Sequence, residues 1–368
     1  MIDRVKAVVH LDNLIHNFKL LKETHYRKRV MAVVKADAYG HGAIESAKHL
    51  EQSGCDFFAV TDLLEAIELR KAGIQSDILI FGKTSADNIN DLHKYDLIQT
   101  VDSYDYAKLL NDKEVPIHIH VIIDTGMSRF GIYCHKEEDF TKASKEVIDI
   151  LSLKYLIQEG IYTHFAVADE DNEVFTENQF NVFSKLIKGL EYKGYQLGLK
   201  HCSNSAATIR YNDIKFDMVR VGIVMYGYPP VHTDLNFLPV MDIFAKVIAL
   251  RDIEVGDGVS YGLTYKAKKP MRVGSIAIGY ADGYNRLFSN KDYFVYKDKK
   301  LQVIGRVCMG VTMVDVTGID IQVGDFVEVF GQNKPLEEMA KKIDTISYEL
   351  LTNMSKKRVV FEYNIKKS

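Results

Sequence analysis

The chain has 368 residues, of which 47% are hydrophobic, and a formal net charge of −3. A single hydrophobic core stops growing at about 250–300 residues, so this length predicts two domains, and the balanced charge excludes the strongly basic surface typical of nucleic-acid-binding proteins. No stretch reaches the roughly 18 apolar residues of a membrane span, no apolar leader follows Met1, and the four cysteines show neither disulfide-type nor metal-type spacing. We therefore expect a cytoplasmic protein without a metal site that acts on a small molecule, with neither nucleic acid nor membrane as partner.

Eight short apolar, β-branched runs alternate with helix-length segments between residues 30 and 223, which is typical of parallel βα units. The predicted strands are Val30–Lys35, Phe57–Asp62, Ile78–Gly82, Leu97–Val101, Ile117–Asp124, Ile161–Ala166, Leu199–Asn204 and Met218–Ile223. Eight such units predict an α/β fold, the (β/α)8 barrel, whose usual size is about 250 residues. An open doubly wound sheet is the alternative, because strand order is not written in one sequence.

The pattern changes after the Gly-Tyr-Pro-Pro turn at Gly227–Pro230. Short strands separated by glycine turns follow, and related phrases occur at Val255–Gly262 and Val323–Gly331. Glycine and aspartate between alternating apolar residues are typical of hairpins, so we expect an all-β C-terminal domain. The predicted domains are a barrel at 1–230 and a β domain at 231–368, with an N-terminal strand (1–10) that is open to either.

Lys35 follows a fully apolar strand and stands at the carboxyl end of the first predicted barrel strand. The carboxyl ends of the strands form the functional face of this fold. Partial desolvation there lowers the pKa of an ammonium group and makes the amine a nucleophile toward aldehydes. The alternative is a lysine that simply closes a strand and reaches solvent.

A second set of candidates follows the seventh and eighth predicted strands, where such barrels often bind phosphate. Ser205 has a hydroxyl to donate, and Gly222 and Ile223 have backbone N–H groups that a phosphate oxygen can approach. The alternative is a helix cap and a packing glycine. Together with Lys35, these residues predict a phosphate-bearing aldehyde cofactor, pyridoxal 5'-phosphate.

Nine motifs, in order along the chain, resemble those of the bacterial alanine racemases. They are Lys35–Gly42, Asp124–Gly131, Thr163–Glu170, Ser203–Ala207, Val219–Ile223, Val259–Tyr265, Ile278–Tyr284, Gly305–Met309 and Thr345–Glu349. The resemblance covers nearly the whole chain. It implies a barrel plus a β domain, pyridoxal phosphate as cofactor, alanine as substrate, and a homodimer with shared active sites. Supply of D-alanine to the cell wall and catabolism of alanine are both open as its role.

The resemblance also implies roles for the residues that hold the cofactor. Lys35 is the lysine that binds the cofactor aldehyde, and Arg220 faces the pyridine nitrogen with His164 orienting it. A guanidinium keeps its proton, so the ring nitrogen stays unprotonated and the cofactor is a weaker electron sink, which favours racemisation over transamination. The implied phosphate ligands are Tyr39, Ser205, Gly222, Ile223 and Tyr348, with Asn204 beside them.

Racemisation requires acid–base groups on opposite faces of the substrate α-carbon. The resemblance implies Lys35 for one face and Tyr261 of the partner subunit for the other, although a phenol needs nearby positive charge to act at neutral pH. Arg129 and the backbone N–H of Met309 are implied to hold the substrate carboxylate, for which a guanidinium fork is well shaped. The implied groups near the entrance are Tyr280, Arg286 and Arg306.

Two positions depart from the family pattern. Ile122 stands where many members carry a carbamylated lysine that braces the carboxylate-binding arginine, so Arg129 must use another partner. Gly310 stands where the family usually has aspartate, a change that bears on gating and side-chain selectivity. Serine, or a broader set of amino acids, is therefore the alternative to alanine as substrate.

Three other functions fit the residues less well. A basic-amino-acid decarboxylase of the same architecture would have a glutamate in place of Arg220 and a cysteine in the β-domain site. The pyridoxal-phosphate homeostasis protein is a lone barrel without a β domain. A sugar-processing barrel hydrolase needs two facing carboxylates, and only Asp62 and Asp124 stand at suitable strand ends.

Overall fold

The computed structural model describes residues 4–211, 216–354 and 357–365. The chain divides into two compact units. The unit that we call the β unit comprises residues 1–13, 39–41 and 239–368, and the one that we call the barrel unit comprises residues 14–38 and 42–238.

The barrel unit contains eight parallel strands in a closed ring. The elements from the N-terminus to the end of the barrel are β1 (Val5–His10), α1 (Leu11–Thr24), β2 (Arg29–Val33), α2 (Lys35–Tyr39), α3 (Ala43–Gln52), β3 (Phe57–Val60), α4 (Leu63–Lys71), β4 (Asp77–Ile80), α5 (Ile89–Lys94), β5 (Ile98–Val101), α6 (Tyr104–Asn111), β6 (Ile117–Asp124), β7 (Ile132–Tyr133), α7 (Phe140–Leu151), β8 (Leu156–Tyr162), α8 (Glu173–Tyr192), β9 (Leu199–His201), α9 (Ser205–Arg210) and β10 (Met218–Val221). Strands β2, β3, β4, β5, β6, β8, β9 and β10 pair in that order, and β10 pairs with β2. The pairing of β5 with β6 completes the ring, which confirms the barrel and excludes the open sheet.

The predicted strands overlap the observed ones, but the bounds of the sixth were wrong. Strand β8 begins at Leu156 and ends at Tyr162, whereas the apolar run predicted Ile161–Ala166. The polar residues Gln158 and Glu159 interrupt the apolar pattern, so the first residues of β8 were not predicted. The side-chain amide of Gln158 donates to the carbonyl of Gly160 at 2.7 Å, which gives this polar side chain a hydrogen-bond partner within the strand. Consequently the residues after Tyr162 form a loop at the carboxyl end of β8.

The β unit is built on a mixed sheet. Its elements are β11 (Met241–Ile253), β12 (Gly258–Val259), β13 (Tyr265–Lys266), β14 (Met271–Ile276), β15 (Tyr293–Tyr296), β16 (Lys299–Gln302), β17 (Thr312–Asp315), β18 (Phe326–Phe330), α10 (Leu336–Lys342), α11 (Ser347–Thr352) and β19 (Val360–Asn364). The strand order is β16-β15-β18-β11-β1-β19, and β14 pairs with β11 and β17. The N-terminal strand β1 is antiparallel to β11 and parallel to β19, so it lies in the sheet of the β unit.

Burial along the strands follows from the two architectures. Strands β3, β5 and β10 are buried at every residue, as expected for parallel strands covered by helices on one side and barrel interior on the other. Strand β1 and the first half of β11 alternate between buried and half-buried residues, the period-two pattern of a sheet with one covered face. Among residues 4–211, 216–354 and 357–365, no helix combines the length and apolar character needed to cross a membrane.

A buried ionic cluster lies in the β unit around Asp292. The carboxylate of Asp292 accepts hydrogen bonds from Lys334 Nζ at 2.6 Å, Lys342 Nζ at 2.9 Å and the hydroxyl of Tyr284 at 2.7 Å. The side chains of Asp292 and Lys334 are completely buried. Burial lowers the pKa of Lys334 to about 8, although the charge of Asp292 opposes this shift. The lysine therefore depends on Asp292 to remain charged at neutral pH.

We expect the substitution Asp292→Asn to destabilise the protein by about 3–5 kcal/mol, because removing one partner of a buried ion pair leaves an uncompensated charge. Urea unfolding followed by circular dichroism measures the free energy of unfolding. The matched control is Asp298→Asn, which removes the same charge from an exposed side chain and is expected to change stability by less than about 0.5 kcal/mol. Equal unfolding midpoints for the two variants would contradict the importance assigned to this cluster.

Candidate active site

A cavity of about 220 Å³ opens at the carboxyl ends of the barrel strands. It is lined by Lys35, Thr61, Phe81, Gly82, Ile122, Arg129, Phe130, Tyr162 and His164. The basic side chains among these are Lys35 and Arg129, and none of the described lining residues is a carboxylate. A cavity with this charge favours an anionic ligand.

Lys35 begins a short left-handed turn, α2, directly after strand β2. The φ angles from Ala36 to Ala38 are 51° to 55°, a conformation that costs about 1–2 kcal/mol for each residue with a side chain. Two carboxylates hold the turn: Glu65 accepts the N–H of Ala36 at 2.6 Å, and Asp37 accepts the N–H of Ala43 at 2.6 Å. The surrounding structure thus fixes a strained turn beside Lys35, which is common at functional sites.

The electrostatic surroundings of Lys35 favour its neutral amine. Burial lowers the pKa of Lys35, the charge of Arg129 lowers it further, and the carboxylate of Glu65 opposes the shift. An amine with a lowered pKa is a better nucleophile and a better base near neutral pH.

Arg220 on β10 is buried and is held entirely by neutral acceptors. Its Nη1 lies 2.8 Å from His201 Nδ1, and its Nη2 lies 3.1 Å from His164 Nδ1 and donates to the carbonyls of Thr163 and Cys202. Among the residues that the structure describes, no carboxylate pairs with it. Burial lowers the pKa of Arg220 to about 10, so the group is less basic than a free guanidinium but remains a cation at neutral pH.

The contacts of Arg220 fix the protonation of the histidines around it. A guanidinium only donates, so His164 and His201 accept through Nδ1 and each carries its proton on Nε2. His201 then donates to Nδ1 of His120 at 3.0 Å. Burial lowers the pKa of His201 well below its ordinary value, with Arg220 adding to the shift, and lowers that of His120 to about 3. A side chain on Gly160 would lie 2.5 Å from the ring of His120, so this position of β8 requires glycine.

The ends of β9 and β10 are joined by a hydrogen bond at the predicted phosphate site. Ser205 Oγ accepts the N–H of Gly222 at 3.0 Å, which leaves the hydroxyl hydrogen of Ser205 to donate elsewhere. Asn204 caps α9 by accepting the N–H of Ala207, and Ile223 begins a 3-10 helix directly after Gly222. Two short helices therefore start side by side, a geometry that suits anion binding.

The loop that carries Arg129 is held by a carboxylate. Asp124 Oδ1 accepts the N–H groups of Gly126, Met127 and Ser128 at 2.9–3.1 Å. Burial opposes ionisation of Asp124, but these hydrogen bonds and His135 outweigh it and lower its pKa. Asp62 likewise caps helix α4. The two carboxylates that a sugar hydrolase would need are thus engaged in holding their own loops.

In the β unit, Tyr39 and Tyr348 form a tilted aromatic pair with ring centroids 6.1 Å apart. Burial raises the pKa of Tyr39, and Tyr348 adds to the shift, so its phenol is a neutral donor. Tyr261 and Met309 are instead 71% and 59% exposed on this unit.

Three motifs of the β unit meet on the exposed face around Tyr261. Ser260 Oγ donates to the carbonyl of Arg306 at 2.6 Å, and the N–H of Tyr280 donates to the carbonyl of Cys308 at 3.1 Å. Tyr280 also lines a cavity of about 400 Å³ with Arg286. This face therefore brings together Tyr261, Tyr280 and Arg306, one residue from each motif.

Gly310 lies between two arginines of the β unit. A Cβ at this position would be 3.1 Å from Nη2 of Arg4 and 3.2 Å from Nη2 of Arg358. Both arginines pair with the buried carboxylate of Asp282, at 2.7 and 2.8 Å. The motif at 278–284 thus supplies a carboxylate to the arginines beside Gly310.

Sequence reasoning missed Glu65, Tyr162 and His201 as parts of the site. His201 lies four residues before Ser205, but the sequence does not show that its side chain contacts Arg220. Tyr162 stacks on His201 at 4.7 Å and lies under the guanidinium of Arg220. The sequence contains no pattern that predicts these contacts, because the contacting residues lie on different strands.

Comparison with known proteins gives full-length matches. The sequence profile of the alanine racemase N-terminal domain matches residues 9–230, and that of the alanine racemase C-terminal domain matches residues 240–363. Alanine racemase 1 of Caldanaerobacter subterraneus subsp. tengcongensis is 39% identical over 376 residues, which cover 98% of this chain and 96% of that protein.

Solved structures agree with these matches. An alanine racemase structure from Clostridium difficile 630 is 37% identical with a TM-score of 0.91, covering 99% of this chain and 97% of the other. The alanine racemase from Bartonella henselae, described with covalently bound pyridoxal phosphate, is 27% identical with a TM-score of 0.89, covering 98% and 99%.

We expect His164 and His201 to stay neutral, with the proton on Nε2, throughout pH 5–8, because burial and then Arg220 hold the pKa of both well below the ordinary value. Nitrogen-15 NMR of histidine-labelled protein reports the tautomer directly. Free histidine in the same sample changes its protonation in this range and is the internal reference. A proton on Nδ1, or a titration of either residue in this range, would contradict the hydrogen-bond pattern around Arg220.

Proposed function

The chain belongs to the alanine racemase family, and we propose that it interconverts L-alanine and D-alanine with pyridoxal 5'-phosphate as its cofactor. The observation that carries the proposal is the cationic cavity in which Lys35, with its lowered pKa, lies beside Arg129. The similarity to a structure described with covalently bound pyridoxal phosphate supports the choice of cofactor.

The residues present fit this cofactor. Lys35 would bind its aldehyde carbon, Ser205 and the start of the helix at Ile223 would hold its phosphate, and Arg220 would face its ring nitrogen. Tyr39 and Tyr348 are proposed as further phosphate donors, and burial raises the pKa of Tyr39, which keeps its phenol protonated. When bound, pyridoxal phosphate withdraws electrons from the substrate α-carbon and makes the α-proton acidic.

The protein supplies proton transfer and substrate binding. Arg220 keeps its proton at neutral pH, so it donates a hydrogen bond without protonating the group that accepts it. Arg129 would bind the substrate carboxylate, with its loop fixed by Asp124, and the neighbouring side chains Ile122 and Phe130 make this part of the cavity apolar. A small apolar substrate such as alanine suits these walls.

Two bases on opposite faces would invert the α-carbon: Lys35 on one and Tyr261 of the partner subunit on the other. The exposure of the face around Tyr261 supports a homodimer. Large apolar and aromatic side chains are uncovered there, as is typical of a protein interface, and they include Tyr261, Leu263, Tyr280, Leu287 and Met309. We place the enzyme in the cytoplasm, because the four cysteines stand far apart in the sequence without disulfide-type spacing, as is usual for proteins of a reducing compartment.

We expect Tyr261→Phe to reduce racemisation by about 10²–10⁴-fold, the usual contribution of a general base. Because Lys35 remains, the α-proton of D-alanine should still exchange with deuterium from the solvent, whereas that of L-alanine should not. Proton NMR follows both exchanges separately. Tyr192→Phe, at a 94% exposed tyrosine of the barrel unit, is the control and should behave as wild type. Equal exchange from the two enantiomers in Tyr261→Phe would show that one base serves both faces.

We expect a mixture of Lys35→Ala and Tyr261→Phe proteins to be more active than either variant alone. A hybrid dimer would contain one site with both bases if each site combines residues of two subunits. The assay is racemisation after mixing, dissociation and reassociation, and a mixture of Lys35→Ala with the double variant is the control. Full wild-type activity in a fraction shown to be monomeric would refute the shared site.

A further inference from the structure

Glu65 on helix α4 binds the ends of two neighbouring barrel strands. Its Oε1 accepts the N–H of Ala36 at 2.6 Å, and its Oε2 accepts the N–H of Thr61 at 2.7 Å. Ala36 follows Lys35 directly, and Thr61 follows strand β3 and lines the same cavity as Lys35. One carboxylate therefore joins the segments after β2 and β3 at the edge of the cavity.

The hydrogen bond to Ala36 acts where the backbone is strained. Ala36 is the first residue of α2 with a positive φ, 51°, and strain of this kind persists only when neighbouring groups hold it. A second hydrogen bond, from the N–H of Ala38 to the carbonyl of Val34, holds the other end of this segment. Loss of the Glu65 contact would let the segment relax and would turn the side chain of Lys35 away from its present direction.

Glu65 also balances the charges around Lys35. The groups that act on Lys35 from neighbouring elements are Arg129, after β6, and Glu65 on α4, and His164, after β8, is a neutral imidazole beside them. Burial and then Arg129 lower the pKa of Lys35, and the carboxylate of Glu65 opposes this shift. Removing its charge would shift Lys35 further toward the neutral amine.

We propose that Glu65 is a positioning residue for Lys35, holding the left-handed turn that directs the amine into the cavity and supplying the negative charge next to it. The proposal rests on the proposed function, in which Lys35 binds the cofactor and acts as one base. Helix α4 thereby affects the reaction through Lys35, although none of the described residues that line the cavity belongs to this helix.

The test compares Glu65→Gln, Glu65→Asp and the control Glu68→Gln in the full-length protein. Glu68 is an exposed residue of the same helix, so its substitution removes the same charge without touching Ala36 or Thr61. Hydrogen exchange of the Ala36 and Thr61 amides is measured with and without added pyridoxal phosphate. The pKa of Lys35 is measured without the cofactor, from the pH dependence of its reaction with an acylating reagent.

In Glu65→Gln we expect about tenfold faster exchange at Ala36 or Thr61, because the side-chain amide has one acceptor oxygen instead of two. The pKa of Lys35 should fall by about one unit, and kcat for racemisation by about 10–100-fold, with KM less affected. Glu65→Asp keeps the charge but is one methylene shorter, so it should restore the pKa of Lys35 while leaving the faster exchange.

Unchanged exchange and unchanged Lys35 pKa in Glu65→Gln would overturn the proposal, as would equal changes in Glu68→Gln. Exchange in strand β6 shows whether a variant is folded, and Glu65→Asp provides the comparison if Glu65→Gln is not. Absence of racemisation in the wild type would refute the proposed function alone, because hydrogen exchange and labelling of Lys35 do not depend on it.

Discussion

Closure of the parallel sheet by the pairing of β5 with β6 is the constraint on which the site depends. Parallel strands in a ring have all their carboxyl ends on one rim, so residues that are far apart in the chain meet there. Lys35, Arg129 and His164 come from the ends of three strands and line one cavity for this reason. Side-chain carboxylates fix two of these segments, because Glu65 accepts a backbone N–H after β2 and Asp124 accepts backbone N–H groups after β6.

A second constraint is the buried charge of Arg220. An isolated cation inside a protein is unfavourable unless it is well hydrogen-bonded, and a carboxylate partner is the usual solution. Here two imidazoles and two carbonyl oxygens replace the carboxylate. The positive charge is therefore hydrogen-bonded but not neutralised. Burial lowers the pKa of His164, and the charges of Arg220 and then Arg129 lower it further. The carboxylates of Glu65 and Asp124 instead accept hydrogen bonds from the backbone of the loops after β2 and β6.

The two units use acidic side chains in different ways. In the barrel unit, Glu65 and Asp124 accept backbone N–H groups, which fixes loop conformation. In the β unit, Asp282 and Asp292 are buried and each pairs with two cations, which links segments distant in sequence. The first arrangement positions functional groups, whereas the second stabilises the scaffold that presents Tyr261 on its exposed face.

Local patterns in the sequence determined the alternation of strands and helices up to residue 223 and the glycine-turn strands of the β domain, because apolar periodicity and glycine turns act over a few residues. They left the barrel and the open sheet as alternatives, and the pairing of β5 with β6 decided between them. They also singled out Lys35 and Ser205, which stand in segments that directly follow predicted strands. The sequence did not determine the start of β8, where polar residues interrupt the apolar run, or the left-handed turn after Lys35, which tertiary hydrogen bonds hold. The partners of Arg220 and the contact of Glu65 with Ala36 were decided only by the tertiary structure, because barrel closure brings together residues between 18 and 57 positions apart.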